Sequence, residues 1–255
     1  MNNRRDSLVN YLKENGKTDV NELAVIFNTS GTTIRTDLRR LEKEGVVARR
    51  YGSAEACIPP TVAKAEDIAM DEKKTLNLAT KIRIAKKAAE LVNDGDSIIL
   101  DCGSTTLQMI PELENIISLT LMTNSLHMIN AVADLGSEHT MIMPGGSFRK
   151  KSASFHGSLA ESAFSKFSFD KLFIGADGFD SIQGCTTFNE AYQVSRAMCK
   201  SANKIIVVMD SSKFGRRSPN IVVPIDKIDV VITDTNLSEE NLTSLEEKGI
   251  TVYQV

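Results

Sequence analysis

Apolar positions recur at helical spacing through the first forty residues. Leu8, Val9 and Leu12 predict a helix from Arg4 to about Asn15, stopped by Gly16. Asp19 has the side chain of an N-cap and opens a short helix to Phe27, with Leu23, Ala24 and Phe27 on its apolar face. After the turn Asn28-Thr29-Ser30, a third helix runs from Gly31 to about Glu44, and Ile34, Leu38 and Leu41 form its buried stripe at i, i+4 and i+7. Thr32, Thr33, Arg35, Thr36, Arg39 and Arg40 are left facing outward. Gly45 ends that helix, and Val46 to Gly52 predicts a small hairpin carrying Arg49 and Arg50.

From Ser97 onward the pattern changes. Short apolar runs (Ile98–Leu100, Leu119–Met122, Met141–Met143, Leu172–Ile174, Ile205–Met209) alternate with helical stretches and predict buried parallel strands in a Rossmann-like α/β layer. Ser53 to Asp71, with Pro59-Pro60, reads as linker. Lys73 to about Asn93 reads as one helix with Ile82, Ile84, Ala88, Ala89, Leu91 and Val92 on its apolar face. Ser238 caps a last helix to Lys248, ahead of a strand at Ile250–Tyr253. The expected organisation is a winged helix-turn-helix over 1–56, a linker over 57–72 and an α/β domain over 73–255.

Charge sharpens the division. The chain of 255 residues carries a net charge of −3, yet residues 1–52 hold ten Lys and Arg against seven Asp and Glu, a local +3 that leaves −6 for the rest. A polyanion partner for the N-terminal segment alone fits that split, with the third helix able to enter a DNA major groove. The competing reading is a plain three-helix bundle whose arginines are solvated, supported by pairs such as Asp37 with Arg40 or Arg35 with Glu42. The composition, 42% hydrophobic and 25% charged, is that of an ordinary soluble globular protein. No apolar stretch is long enough to span a membrane, and the N-terminus lacks the apolar core of a secretion signal. Cys57, Cys102, Cys185 and Cys199 have no metal-type spacing; free thiols in a cytoplasmic protein with no metal or cofactor are expected.

The candidate chemistry follows the predicted strands. Asp101-Cys102-Gly103-Ser104-Thr105-Thr106 sits between a strand and a helix beginning near Leu107, a layout whose N–H groups and dipole suit a phosphate. Thr123-Asn124-Ser125, Pro144-Gly145-Gly146, Gly175-Ala176-Asp177-Gly178 and Asp210-Ser211-Ser212-Lys213 follow four further strands. In an open parallel sheet such loops gather at the carboxyl edge, and together they describe a site for a small anionic polyol. The expected contacts are Gly103, Ser104, Thr105, Thr106 and Lys213 to the phosphate, Asp101, Asp177 and Glu190 to sugar hydroxyls, and Asn124, Gly145, Gly146 and Arg149 around them. Asp101 and Glu190 could equally serve as caps or internal ion pairs. The run Arg149-Lys150-Lys151 could reach the phosphate or remain solvated. His156, standing alone, reads as structural, and Cys102 as packing beside the site.

Ser30 to Leu38, with Leu41-Glu42 and Tyr51-Gly52, together with the loops just named and Phe214-Gly215, resembles the DeoR family of bacterial repressors over nearly the whole chain. Within that family, 148–157, 186–190 and 195–199 resemble the branch that controls glucitol (sorbitol) operons. The resemblance implies a winged helix joined to a domain related to ribose-5-phosphate isomerase, a double-stranded operator, a phosphorylated sugar or hexitol that relieves repression, and a homo-oligomer. A sugar-phosphate isomerase is the alternative from another class, but Gly175-Ala176-Asp177-Gly178 ends in Gly where those enzymes have Glu, and an isomerase has no use for a winged helix.

Overall fold

The computed structural model describes residues 3–15, 18–43, 47–50, 52–56, 69–187 and 192–255. The chain forms two compact units, 1–62 and 63–255. In the first, helices α1 (Asn3–Asn15), α2 (Val20–Ile26) and α3 (Gly31–Lys43) pack with strands β1 (Thr18–Asp19), β2 (Val47–Arg50) and β3 (Ser53–Ala56), and the three strands form one antiparallel sheet in the order β1-β3-β2. Asp19 caps α2 by accepting from the Asn21 N–H at 2.7 Å. Leu8, Leu12, Leu23, Ile34, Leu38, Leu41 and Val47 make the buried core. Asp37 pairs with Arg4 of α1 at 2.7 Å.

The second unit begins with α4 (Met70–Thr75) and α5 (Leu78–Ala89). The single helix predicted from Lys73 is therefore two, and its first turn takes in Met70 to Glu72, which the linker was expected to hold. The break is at Leu76, extended with ψ 127°, and Asn77, left-handed with φ 53°. Then come β4 (Ser97–Leu100), β5 (Thr120–Met122), α6 (Leu126–Ala133), β6 (Thr140–Ile142), β7 (Ser147–Arg149), β8 (Ser154–His156), α7 (Ser158–Phe164) and β9 (Phe169–Ile174). The chain ends with β10 (Gly178–Asp180), β11 (Gly184–Thr187), α8 (Tyr192–Lys200), β12 (Ala202–Val208), β13 (Asn220–Pro224), β14 (Val230–Thr233), α9 (Glu239–Glu246) and β15 (Thr251–Gln254). The segment after β4 is a 3₁₀ helix, Thr106–Leu113, not the α-helix expected there. Pro111 lies inside it and has no N–H to return to Leu107, so the α-helical ladder cannot form.

The main sheet is parallel throughout, in the order β15-β14-β12-β9-β4-β5-β6. Its strands are continuously apolar because both faces are covered. Ile98 and Leu100 turn to the side packed by α5, the 3₁₀ helix and α6, while Ile99 turns to the side of α7, α8 and α9. From β4 the strands proceed outward to β6; the chain then returns to β9 on the other side of β4 and proceeds outward again. That reversal is a topological switch point, and it leaves a crevice beyond the carboxyl ends of β4 and β9. The separate antiparallel sheet β10-β11-β13 and the hairpin β7-β8 add to this edge and were not anticipated from the sequence. No described helix is long and apolar enough to cross a membrane.

Candidate functional site

At the switch point a cavity of about 300 Å³ opens. Its floor is set by Asp101, just past β4. One carboxylate oxygen accepts from the Gly103 N–H (2.9 Å) and the Thr106 hydroxyl (2.6 Å), and the other from the Gly175 N–H (2.9 Å) beyond β9. One side chain thus ties together the two loops flanking the reversal, and burial pushes its carboxyl up from the usual range. Asp101 is a brace whose oxygens are already engaged. Gly103 is needed for this turn, since a Cβ there would lie 2.8 Å from Asp101 Oδ1. Thr106 is fully buried, its hydroxyl spent on Asp101. Ser104 and Thr105 line the cavity, and their backbone N–H groups take no partner among the described residues.

Cationic side chains from four other segments line the same space: Lys73 of α4, Lys81 of α5, Arg149 of β7, and Lys213 and Arg216 after β12. Lys81 is 4% exposed. Burial, then the like charge of Lys213, bring its ammonium down to about 8, with Asp210 working the other way. Lys213 is lowered as well, chiefly by burial, against the pull of Asp210 and Asp177. Asp177 pairs with Lys73 at 2.5 Å and accepts from the Thr187 hydroxyl at 2.7 Å. Burial alone would raise its carboxyl; Lys73 and Thr187 hold it below the usual range. Asp210 accepts from Asn77 Nδ2 at 3.2 Å and from the Ser212 hydroxyl.

The hairpin β7-β8 supplies the remaining wall with Arg149, Ser152 and His156. His156 Nε2 is 2.7 Å from the Ser154 hydroxyl, while its Nδ1 is buried and unpartnered. Burial, then Arg149, lower the imidazole to about 4, so it is neutral near pH 7.

The predicted residues therefore separate. Asp101, Gly103, Ser104, Thr105, Arg149, Asp177 and Lys213 line one cavity. Thr106, Asn124, Gly145 and Gly146 do not, so three of the five expected loops converge and two serve the hairpin. Asn124 Nδ2 donates to Phe155 O at 3.0 Å, and Gly146 (φ 109°) passes so close to His156 that a Cβ would lie 2.5 Å from its carbonyl oxygen. Glu190 lies outside the described residues. Lys73, Asn77, Lys81, Arg216 and His156 enter the wall unannounced. The signal for Lys81 was present: with Ile84, Ala85 and Ala88 it falls on the buried stripe of α5. Among the described residues no cluster of His, Cys, Asp or Glu is suited to a metal ion.

In the first unit, α3 keeps the face its periodicity predicts. Ile34, Leu38 and Leu41 are buried; Thr32, Arg35, Thr36, Arg39 and Arg40 are exposed, and Thr33 is half-buried. The Ser30 hydroxyl caps the helix at the Thr33 N–H (3.2 Å), and the two hydroxyls share a 2.8 Å hydrogen bond. Strand β2 carries Arg49 and Arg50, whose side chains lie outside the described set.

The sequence pattern of the DeoR C terminal sensor domain matches residues 76–235, and that of the DeoR-like helix-turn-helix domain residues 4–59. The chain belongs to the DeoR family. A relative in Escherichia coli O157:H7, provisionally named an aga operon transcriptional repressor, is 36% identical over 99% of this chain and 93% of its own. The regulator GlpR of Haloferax volcanii is 30% identical over 98% and 96%, and the lactose phosphotransferase system repressor of Staphylococcus epidermidis 30% over 91% and 92%. Ribose 5-phosphate isomerase A of Methanocaldococcus jannaschii aligns at a TM-score of 0.41 and 21% identity over 54% of this chain and 55% of that one. With a DeoR-like helix-turn-helix and relatives named as regulators, the DeoR protein described here is a DNA-binding transcriptional repressor, not an enzyme.

Proposed function

We propose that this DeoR repressor binds operator DNA in the cytoplasm through α3 and β2–β3, and is released when a phosphorylated sugar or hexitol occupies the cavity. The observation that carries the reading is the convergence, at the switch point, of the N–H groups of Ser104 and Thr105, unpartnered among the described residues, with Lys81, Lys213 and Arg216. A phosphate satisfies those donors and neutralises charges that repel one another in its absence. The Asp177 carboxylate and His156, which line the same cavity, are the groups proposed to meet the hydroxyls, Asp177 by giving up part of its pairing with Lys73 and Thr187.

The names of the relatives point to more than one sugar system and do not select the ligand. Glucitol 6-phosphate is the first candidate. The three stretches that resemble the glucitol branch each supply wall residues: Arg149, Ser152 and His156 from 148–157, Thr186 and Thr187 from 186–190, and Ser195 from 195–199. A homo-oligomer presenting α3 to two or more half-sites completes the reading, because one winged helix makes too few phosphate contacts for useful affinity.

A thermal-shift screen of hexitol and hexose phosphates against the full chain tests it. Stabilisation should grow with ligand concentration by mass action. Free glucitol acting as well as its phosphate would refute the phosphate clamp.

A further inference from the structure

Helix α4 is fastened to the sensor unit by the buried side chain of Met70 and by polar contacts to residues of the cavity or beside it. Lys73 Nζ pairs with Asp177, and Lys73 O accepts from Lys81 Nζ at 2.6 Å. The Met70 N–H donates to Lys151 O at 3.0 Å, next to Ser152 of the wall. Lys74 Nζ lies 3.1 Å from the His127 ring. Asn77, in its left-handed turn, holds Asp210. Met70, Lys73, Leu76 and Asn77 themselves face the cavity. At six residues α4 is far below the length at which a helix holds itself together in water, so these attachments decide whether it persists. It is also the first described element after 57–68, the chain that leads back to the DNA-binding unit.

The groups fixing α4 are the groups an anionic polyol would engage. Lys81, which holds the Lys73 carbonyl, faces Lys213 across the site proposed for the phosphate; Asp177, which holds the Lys73 ammonium with one oxygen and the Thr187 hydroxyl with the other, lines the same cavity, where ligand hydroxyls would compete for it. Lys73 cannot keep its full interaction with Asp177 once an anion lies within reach and hydroxyls compete for the carboxylate. A ligand shifts a conformational equilibrium only through contacts that differ between the states, and this pair supplies such a difference.

Building on the phosphate-ester reading of the cavity, we propose that Lys73 is an effector-binding residue that exchanges Asp177 for the effector's phosphate, and that this exchange loosens α4 and passes the state of the cavity to residues 57–68. The sensor then needs no large rearrangement of its sheet. Occupancy is converted into the loss of a one-and-a-half-turn helix at the point where the two units are joined in sequence.

The test is amide hydrogen exchange of the full chain, with glucitol 6-phosphate and inorganic phosphate as probes and operator titration in parallel. With a bound probe, exchange over 70–75 should speed up about tenfold or more while 98–100 in the central sheet stays protected. Lys73→Met should exchange fast over 70–75 without any probe, bind the probe about tenfold more weakly, and show operator affinity shifted toward that of the probe-saturated wild type; Lys73→Arg should restore slow exchange. Protection at 98–100 in Lys73→Met shows that the variant is folded. A probe that raises the melting temperature but leaves 70–75 unchanged overturns the proposal, as does a Lys73→Met protein with wild-type exchange or operator affinity. If neither probe binds, the phosphate-ester reading fails on its own, and Lys73→Met without probe still decides whether the Lys73–Asp177 pair holds α4.

Discussion

The exposed face of α3 and the cavity of the sensor unit are built on opposite principles. The first is a single helix. Its apolar stripe anchors it, and every residue off that stripe is delivered to solvent by the 3.6-residue period. The second has no local logic: its cations come from α4, α5, β7 and the loop after β12, positions 73 to 216, brought together only because the strand order reverses between β4 and β9. The difference is energetic as well. Exposed arginines cost the fold little and wait for a polyanion in water. The buried Lys81 and half-buried Lys213 face one another in the cavity at a cost an anion would relieve, a like-charge repulsion that the helix face lacks.

That contrast can be broken by measurement. The largest effect should come from the cavity: Lys81→Met combined with Lys213→Ala removes two charge-assisted contacts of about 1.5–3 kcal/mol each, so phosphate-ester affinity measured by calorimetry should fall more than a hundredfold. Removing two repelling charges offsets the loss of the Lys81 hydrogen bond to the Lys73 carbonyl, so the ligand-free melting temperature should change little. A marked drop would show that these lysines are part of the scaffold. Next in size, Arg35→Ala or Arg39→Ala should each cost about 1–3 kcal/mol of operator affinity at fixed salt with no change in melting temperature. Wild-type operator affinity in both variants would remove α3 from the interface.

The pH response separates the two regions further. Lys81 gives up its proton near pH 8, where an ordinary lysine would hold it beyond 10, because it is buried beside Lys213 and Lys73 with only Asp210 opposing them. An anion prefers the charged form, so phosphate-ester affinity should decline several-fold as pH rises from 7 to 9, and a bound anion should move the inflection upward. The stability of the empty protein runs the other way. Between about pH 8 and 10.5 the unfolded chain binds the extra proton, and the Lys81 contribution therefore makes stability rise with pH. Lys81→Met should abolish both inflections, and His156, neutral above about pH 4, should add none near neutrality. The smallest effect belongs to the first unit: Arg4→Ala removes a partly exposed pair with Asp37 and should cost about 1 kcal/mol or less by denaturant melting.

How much of each region was legible in the sequence follows from the same contrast. The stripe Ile34-Leu38-Leu41, the Asp19 cap and the outward residues of α3 could be read directly, since all the information lies within a few turns. The strands and the Gly- and Ser-bearing loops after β4, β9 and β12 were legible too, because buried parallel strands are uninterrupted apolar runs and their loops are polar. What the loops do was less so. Asn124 and Gly146 have the composition of ligand contacts, yet they hold β8 from behind, because a hairpin unseen in the sequence occupies the space where they pointed. Lys73 and Asn77 were hidden by a helix that breaks at a single left-handed residue, and the small sheet β10-β11-β13 by strands of three to five residues. Pro111, by contrast, was in plain view and does convert the helix after Thr106 to a 3₁₀ turn.

Under the proposed function, the hairpin β7-β8 is where ligand preference would be set. It is attached through the close approach of Gly146 and the pairing of Ser125 with Ser154, and it carries Arg149, Ser152 and His156 into the cavity without contributing a strand to the parallel sheet. Residues 147–156 thus behave as an exchangeable cassette. On the proposed reading of the cavity, substitutions there would alter the chemistry offered to the ligand body while the Asp101 brace, the loop at 103–105 and Lys213 keep their places. If the cavity takes the proposed phosphate ester, inducer choice should be adjustable on these ten residues without changing the loop at 103–105, Lys213 or α3, which a hairpin-swapped variant would test.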